Sequence, residues 1–365
     1  MYSEMMKIIE SGLSGDKDRV LNYAKLLVKN LENEGNAKLA ARISKIINTK
    51  NTRLVSLDSF STKPVDQETR MDMVNVTVPS SVKDPLVFSE IINEEIEDFI
   101  NSYRQKEKLL LNDLEVSNKL LLFGKPGTGK TSLATYISAE LGLPLVTARL
   151  DGLVSSLLGS TAKNIRKVFD YAAKSPCVLF LDEFDVIAKV RDDKNELGEL
   201  KRVVNSLLQN IDEFDNGSIL IAATNHDKLL DPAVWRRFDK VIELNIPDKD
   251  RRIDLIKEFS SKVENNYINE SSKLDILSKC LSDFSPADIK VVINNAIRKM
   301  VLDNRSQLVY SRLLYEIFLF QNRNSVEVYD LVGYLTENGI TQKEINEEFK
   351  IPIRKVRDYV KKIKE

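Results

Sequence analysis

The chain has 365 residues, 42% hydrophobic and 30% charged, which suits a soluble, charge-rich protein of two or three domains. Its 54 Lys and Arg against 55 Asp and Glu leave a net charge of −1. No bulk field therefore favours nucleic acid or membrane, and such a partner must meet a local patch. Met1-Tyr2-Ser3-Glu4 does not open a signal peptide, and no apolar run has membrane-spanning length. Two cysteines, Cys177 and Cys280, with a single histidine cannot make a four-ligand zinc site, and a reducing, cytoplasmic setting is expected.

Residues 1–50 read as a small helical unit. Val20, Leu21, Ala24, Leu27, Val28 and Leu31 recur at helical spacing, as do Leu39, Ala40, Ile43 and Ile47, with a polar turn at 32–36 between them. Residues 51–84 are Ser/Thr-rich, with little periodicity, and read as a linker. From 85 to 247 apolar runs alternate with amphipathic stretches. The strands expected are 120–123, 145–148, 178–181, 219–223 and 241–244. Such runs separated by helices predict a five-stranded parallel sheet covered on both faces, with its ligand at the carboxyl ends of the strands. Residues 248–325 carry only helical spacing (253–263, 274–281, 287–302) and predict an all-helical lid.

Directly after Leu120-Leu121-Leu122-Phe123 comes Gly124-Lys125-Pro126-Gly127-Thr128-Gly129-Lys130-Thr131, followed by Ser132 and a helical pattern through Ala134, Ile137 and Leu141. This is a P-loop in its proper context. The glycines let several backbone N–H groups point at one spot, and the helix adds its N-terminal partial charge there. Lys130 is expected to reach the β/γ-phosphates of ATP, and the Thr131 hydroxyl to ligate Mg²⁺. The run Val178-Leu179-Phe180-Leu181 ends in Asp182-Glu183. Acidic residues on such a strand belong where it emerges beside the P-loop, Asp182 to hold Mg²⁺ and Glu183 to polarise the attacking water. A third apolar strand ends in Thr224-Asn225, whose amide can meet the γ-phosphate or the lytic water.

Then comes Asp231-Pro232-Ala233-Val234-Trp235-Arg236-Arg237-Phe238-Asp239. A guanidinium offered to a neighbour's γ-phosphate would stabilise transition-state charge, and the alternative is ion pairing with Asp231 or Asp239. His226 reads as a solvated loop residue and Trp235 as packing.

Taken in this order, the P-loop, Leu181-Asp182-Glu183, Ala223-Thr224-Asn225 and Arg236-Arg237-Phe238-Asp239 resemble the AAA branch of the AAA+ ATPases over roughly residues 85–300. The resemblance implies an ATP-hydrolysing enzyme in a ring, usually of six subunits, with ATP at each interface. It implies Asn225 as a γ-phosphate sensor and Arg236 and Arg237 as arginine-finger candidates acting in trans. Ser285-Pro286-Ala287-Asp288 resembles the family's second sensor segment, with Pro286 where a glycine is usual, and implies a nucleotide contact near Ala287. The absence of an arginine from this tetrad favours protein remodelling over clamp loading or replication initiation. Ser155-Ser156-Leu157-Leu158-Gly159-Ser160 resembles the first pore loop, with Leu157 at the aromatic position, and residues 191–196 have the polarity of the second.

Residues 326–365 carry a helix-turn-helix-like pattern. Thr341-Gln342-Lys343-Glu344 is a capping box, and Ile340 can staple to Ile345. Ile353, Val356, Val360 and Ile363 face inward on the last helix, while Arg354, Lys355, Arg357, Lys361, Lys362 and Lys364 face outward against Asp358 alone. Residues 341–364 are therefore a candidate duplex-DNA contact, with protein docking or ring packing as alternatives. Three readings follow: a cytoplasmic remodeller acting on a protein substrate, with room for a separate partner protein or protease; a DNA-linked ATPase using the tail; or a nucleotide-gated binding module with slow turnover.

Overall fold

The computed structural model describes residues 6–7, 23–24, 26–28, 30–31, 39–41, 63–65, 72–79, 86–149, 158–186, 197–214, 217–323 and 327–364. The expected pore residues 155–157 and 191–196, and most of the linker, lie outside them. In the N-terminal part Leu27, Leu31 and Ala40 bury against one another, so the two expected helical stretches meet.

The described core begins with strand β1 (Val74–Thr77), then helices α1 (Glu90–Arg104) and α2 (Lys106–Leu110). Strand β2 (Lys119–Phe123) leads through the Gly-rich loop into α3 (Lys130–Leu141). β3 (Leu145–Arg149), α4 (Leu158–Ala172), β4 (Val178–Asp182), α5 (Leu197–Glu213) and β5 (Ile219–Thr224) follow. A one-turn helix α6 (Pro232–Trp235) precedes β6 (Lys240–Glu243).

The five strands expected from the apolar runs are all present, and they are parallel in the order β3-β4-β5-β2-β6. The structure adds a sixth. Residues 74–77, read as linker, pair antiparallel with β3, Val74 opposite Ala148 and Thr77 opposite Leu145. Strand alternation sends side chains to two cores. Leu121, Leu179, Leu181, Leu220 and Ala222 face α4 and α5, meeting Val168, Phe169, Leu207 and Ile211. Leu120, Leu122, Phe180, Ile221 and Ala223 face the other way, against Phe99 of α1 and Leu133 and Ile137 of α3. Both faces are covered, which is why these strands read as unbroken apolar runs.

The lid comprises α7 (Lys249–Ser260), α8 (Ser271–Cys280), α9 (Pro286–Leu302) and α10 (Tyr310–Gln321). It is not purely helical: β7 (Glu264–Asn265) and β8 (Gln307–Leu308) form a two-residue parallel ladder. Beneath it Tyr267 is fully buried, its hydroxyl 2.8 Å from Ser260 Oγ. The tail folds as α11 (Val328–Glu337), α12 (Gln342–Phe349) and α13 (Ile353–Lys364). Its apolar side chains do not form a core of their own. Leu331, Val332, Leu335, Ile345, Val356 and Val360 share one continuous cluster with Leu313, Leu314, Ile317 and Ile293 of the lid. Arg305 Nη1 reaches both carboxylate oxygens of Glu348 at 2.7 and 2.6 Å across that junction.

Candidate functional site: a phosphate loop under a helical lid

β2 is an inner strand between β5 and the edge strand β6, so the loop it feeds opens on the carboxyl edge of the parallel strands, one strand in from the side of the sheet. Gly124 presses against the end of β6, where a Cβ would stand 2.2 Å from Leu244 O. Gly127 takes φ +77° and faces the lid, where a Cβ would meet Ser285 Oγ at 2.4 Å and Ala287 Cβ at 3.0 Å. No other residue type fits this close approach without moving the lid. Thr128 Oγ1 donates to Lys125 O at 2.8 Å and holds the loop's curl.

Lys130 is buried, and its Nζ donates to Gly124 O (2.7 Å) and Lys125 O (2.9 Å). Burial pulls its pKa below the usual lysine value, while Asp182 and Asp185 nearby oppose that shift. A buried cation resting on neutral carbonyls is poorly compensated, and an incoming polyanion is its natural partner. Thr131 begins α3 beside it, exposed.

At the end of β4, Asp182 Oδ1 accepts the Glu183 N–H at 3.0 Å. Glu183 adopts φ +54°, the left-handed region. A non-glycine residue there stores about 1–3 kcal/mol and marks a position held by its surroundings. The anchor is visible: the next amide, Phe184 N, donates to Ala223 O on β5 at 2.8 Å. Asn225 follows Thr224, which pairs with Phe123 in register, so it stands between the β4 carboxylates and the P-loop.

The lid completes the site from above. Ser285 caps α9 in a full capping box with Asp288, as its spacing predicts, with Pro286 at the first turn. The Ala287 N–H donates to Gly127 O at 3.2 Å, a direct bond between lid and phosphate loop. Beside it lies a cleft of about 170 Å³ lined by Phe88, Gly129, Ser132, Leu255, Phe259 and Pro286, among others. The cleft is apolar on one side and opens on the phosphate loop on the other, the division of surface that a nucleotide has. Lys130 and the curled loop fit the phosphates, and Thr131 and Asp182 are oxygen donors of the kind Mg²⁺ takes.

Several of these residues escaped sequence reading. Phe88, Leu255 and Phe259 look like ordinary apolar positions, and only tertiary contact makes them a wall. Asp185 was also missed, although it follows Asp182-Glu183 closely. It is buried, accepts from Thr224 Oγ1 at 3.2 Å and lies 3.9 Å from His226 Nε2. It ties the tips of β4 and β5 together.

Neither Arg236 nor Arg237 has a hydrogen bond or ion pair to this cluster among the described residues. Asp239, two residues beyond, accepts the N–H groups of Asn118 and Lys119 at the opposite end of β2, roughly 17 Å of strand from Gly124. Arg237 is held within its own chain. Its Nε donates to Asp212 Oδ2 at 3.2 Å and its Nη1 to Ala233 O at 2.6 Å, so its partner is neither Asp231 nor Asp239. Arg236 is exposed. Trp235 packs edge-to-face on Phe123, centroids 5.3 Å apart, and Phe184 does the same on Phe238 at 6.0 Å. The arginine segment is thus pinned to both strands that carry the site.

A mostly parallel sheet with a phosphate loop at the carboxyl end of an inner strand, and a helical lid bonded to that loop, defines a nucleoside-triphosphate-binding ATPase core. Comparison with known proteins narrows the class. The profile of the ATPase family associated with various cellular activities (AAA) matches residues 120–246. The chain is 36% identical over 308 residues to the uncharacterized AAA family ATPase y4kL of Sinorhizobium fredii, covering 84% of this chain and 91% of that protein. It is 38% identical over 184 residues to the proteasome-activating nucleotidase of Methanococcus maripaludis, covering 48% of this chain and 44% of that one. To the chloroplastic ATP-dependent zinc metalloprotease FTSH 7 of Arabidopsis thaliana it is 34% identical over 211 residues, 56% of this chain and 26% of the relative. It spans less than half the length of these last two. The chain belongs to the AAA family and is an ATPase. Among the described residues no helix is long and apolar enough to cross a membrane.

Proposed function

We propose that this chain is a ring-forming AAA ATPase that couples ATP turnover to remodelling or unfolding a protein substrate. The observation that carries the reading is the Ala287–Gly127 hydrogen bond, because it puts the lid in contact with the loop that senses phosphate. A change at the phosphates is then a change in the seat of the lid, which is how hydrolysis becomes motion.

In this reading Gly124, Lys125, Pro126, Gly127, Thr128 and Gly129 cradle the phosphates, and Lys130 trades its two carbonyl partners for the β/γ oxygens. Ser132 and Ala287 border the same cleft, and Leu255 and Phe259 cover the base. Thr131 and Asp182 would hold Mg²⁺, which when bound neutralises charge on the phosphate oxygens. Glu183, on its left-handed turn beside Asp182, takes the proton of the attacking water, and Asn225 orients that water or the γ-phosphate. Arg236, exposed directly after α6, reaches the site of a neighbouring subunit, which requires a closed ring of like contacts. Arg237, tied to Asp212 and Ala233, holds the segment in place.

Relatives named as a proteasome-activating nucleotidase and an ATP-dependent protease support the assignment to protein remodelling. A zinc protease of the two-histidine helix kind is outside this chain's means, because it has one histidine. The test is the steady-state ATPase rate with and without an unfolded protein, with Glu183→Gln as the background. A rise of about twofold or more supports the reading. A rate indifferent to unfolded protein in an assembled preparation would sink it.

A further inference from the structure

We infer that the C-terminal three-helix unit binds duplex DNA through the outer face of α13, with Arg354, Lys355 and Arg357 as the phosphate contacts. The inference stands apart from the remodelling reading and rests on the geometry of α11–α13.

The fold of the unit supplies the shape. α12 and α13 are joined by a three-residue turn, Lys350-Ile351-Pro352, in which Lys350 takes the left-handed conformation at φ +54° and ψ +27°. A short turn with one left-handed residue is the joint that sets two helices at a steep angle in helix-turn-helix units. α11 backs the pair. Its Gly333 lets Ile363 of α13 approach so closely that a Cβ would stand 3.1 Å from Ile363 Cδ1. With Ile345, Val356 and Val360 turned inward, the opposite side of α13 is left to solvent.

Charge supplies the partner. Across its twelve residues α13 carries six cations and one carboxylate, Asp358, in a chain whose net charge is −1. Arg354, Lys355, Arg357, Lys361 and Lys362 are all exposed. The acids of neighbouring α12 have internal partners. Glu344 closes the capping box on Thr341, Glu347 lies 3.7 Å from Lys343, and Glu348 binds Arg305. On the α11 side, Asp330 and Glu337 line a cleft together with Lys362 and offset that one lysine. The field is therefore strongest at the first half of α13, around Arg354, Lys355 and Arg357. A helix of about 18 Å with exposed cations and a solid apolar back has the dimensions of a major-groove element.

The experiment is fluorescence anisotropy of a labelled 30-base-pair mixed-sequence duplex, titrated with the full-length chain at 50 and 200 mM salt. We expect binding at 50 mM that weakens at least tenfold at 200 mM, the signature of counterion release. The triple change Arg354→Ala, Lys355→Ala and Arg357→Ala should weaken binding at 50 mM at least tenfold. It should also reduce the slope of log affinity against log salt by about 2–3. Lys362→Ala should weaken binding less than about twofold. ATPase rate and melting midpoint of the triple variant should match the parent, because these side chains are exposed. The inference is overturned if the duplex fails to bind at 50 mM, or if the triple variant binds it undiminished. It is equally overturned if a polyglutamate peptide binds this face and the duplex does not, which would make the face a dock for an acidic protein.

Discussion

At the scale of single residues, the site divides into groups whose chemistry dictates their spacing and groups that only folding recruits. Lys130, Thr131, Asp182 and Glu183 could be grouped from sequence because the roles proposed for them, toward a phosphate, a cation and a water, need positions at one strand edge. Asp185 could not, since a carboxylate reveals its role only when Thr224 and His226 close on it. The two arginines were legible as a pair, and structure separates them. Arg236→Ala should lower turnover of assembled protein by at least about 10²-fold with ATP affinity nearly unchanged, read by steady-state rate and nucleotide fluorescence. Arg237→Ala should chiefly lower the melting midpoint, because it loses a bond to Asp212 and another to the Ala233 carbonyl. Equal turnover per chain in monomeric and assembled preparations would remove the case for an arginine acting across subunits.

Among the elements, strands buried on both faces announce themselves as apolar runs, as β2, β4 and β5 do, while the edge strand β6, with Val241 and Glu243 exposed, was found from a weaker run. β1 gave no such signal. It is a four-residue edge strand, Val74-Asn75-Val76-Thr77, in a polar stretch, and its pairing with β3 depends on a partner more than 65 residues away. The cap on α9 was legible because Ser285 and Asp288 are neighbours in sequence. What that cap touches was not. The consequence is testable at Gly127: alanine there must adopt φ +77° and would stand 2.4 Å from Ser285 Oγ. We expect Gly127→Ala to displace the start of α9 and weaken nucleotide binding at least tenfold. The displacement should appear as faster amide hydrogen exchange in residues 287–290. Unchanged exchange there with unchanged affinity would show that lid and loop are uncoupled.

In the whole molecule the main departure from expectation is the tail. As a sequence it reads as an appendage with its own caps and its own basic helix, and composition gives no hint of which apolar faces meet. In the structure its buried side chains complete the core of the lid. Each such residue is worth about 1.5–3 kcal/mol when buried. Deleting residues 326–365 should therefore lower the melting midpoint by more than about 10 °C and depress ATPase activity, rather than leave turnover intact. A truncated chain that melts and turns over like the parent would mean that the lid stands without the tail.

The shared core also bears on how force would leave an engine of the proposed kind. A cargo-binding arm on a loose string transmits tension but no torque, since the string absorbs rotation. Here α13 is fastened to the lid by interlocked side chains and by the Arg305–Glu348 clamp, and the lid in turn rests on the phosphate loop through one hydrogen bond. A partner held by the last helix, as inferred above, would turn with the lid, so in a remodeller of the proposed kind each ATP would steer its heading as well as pull.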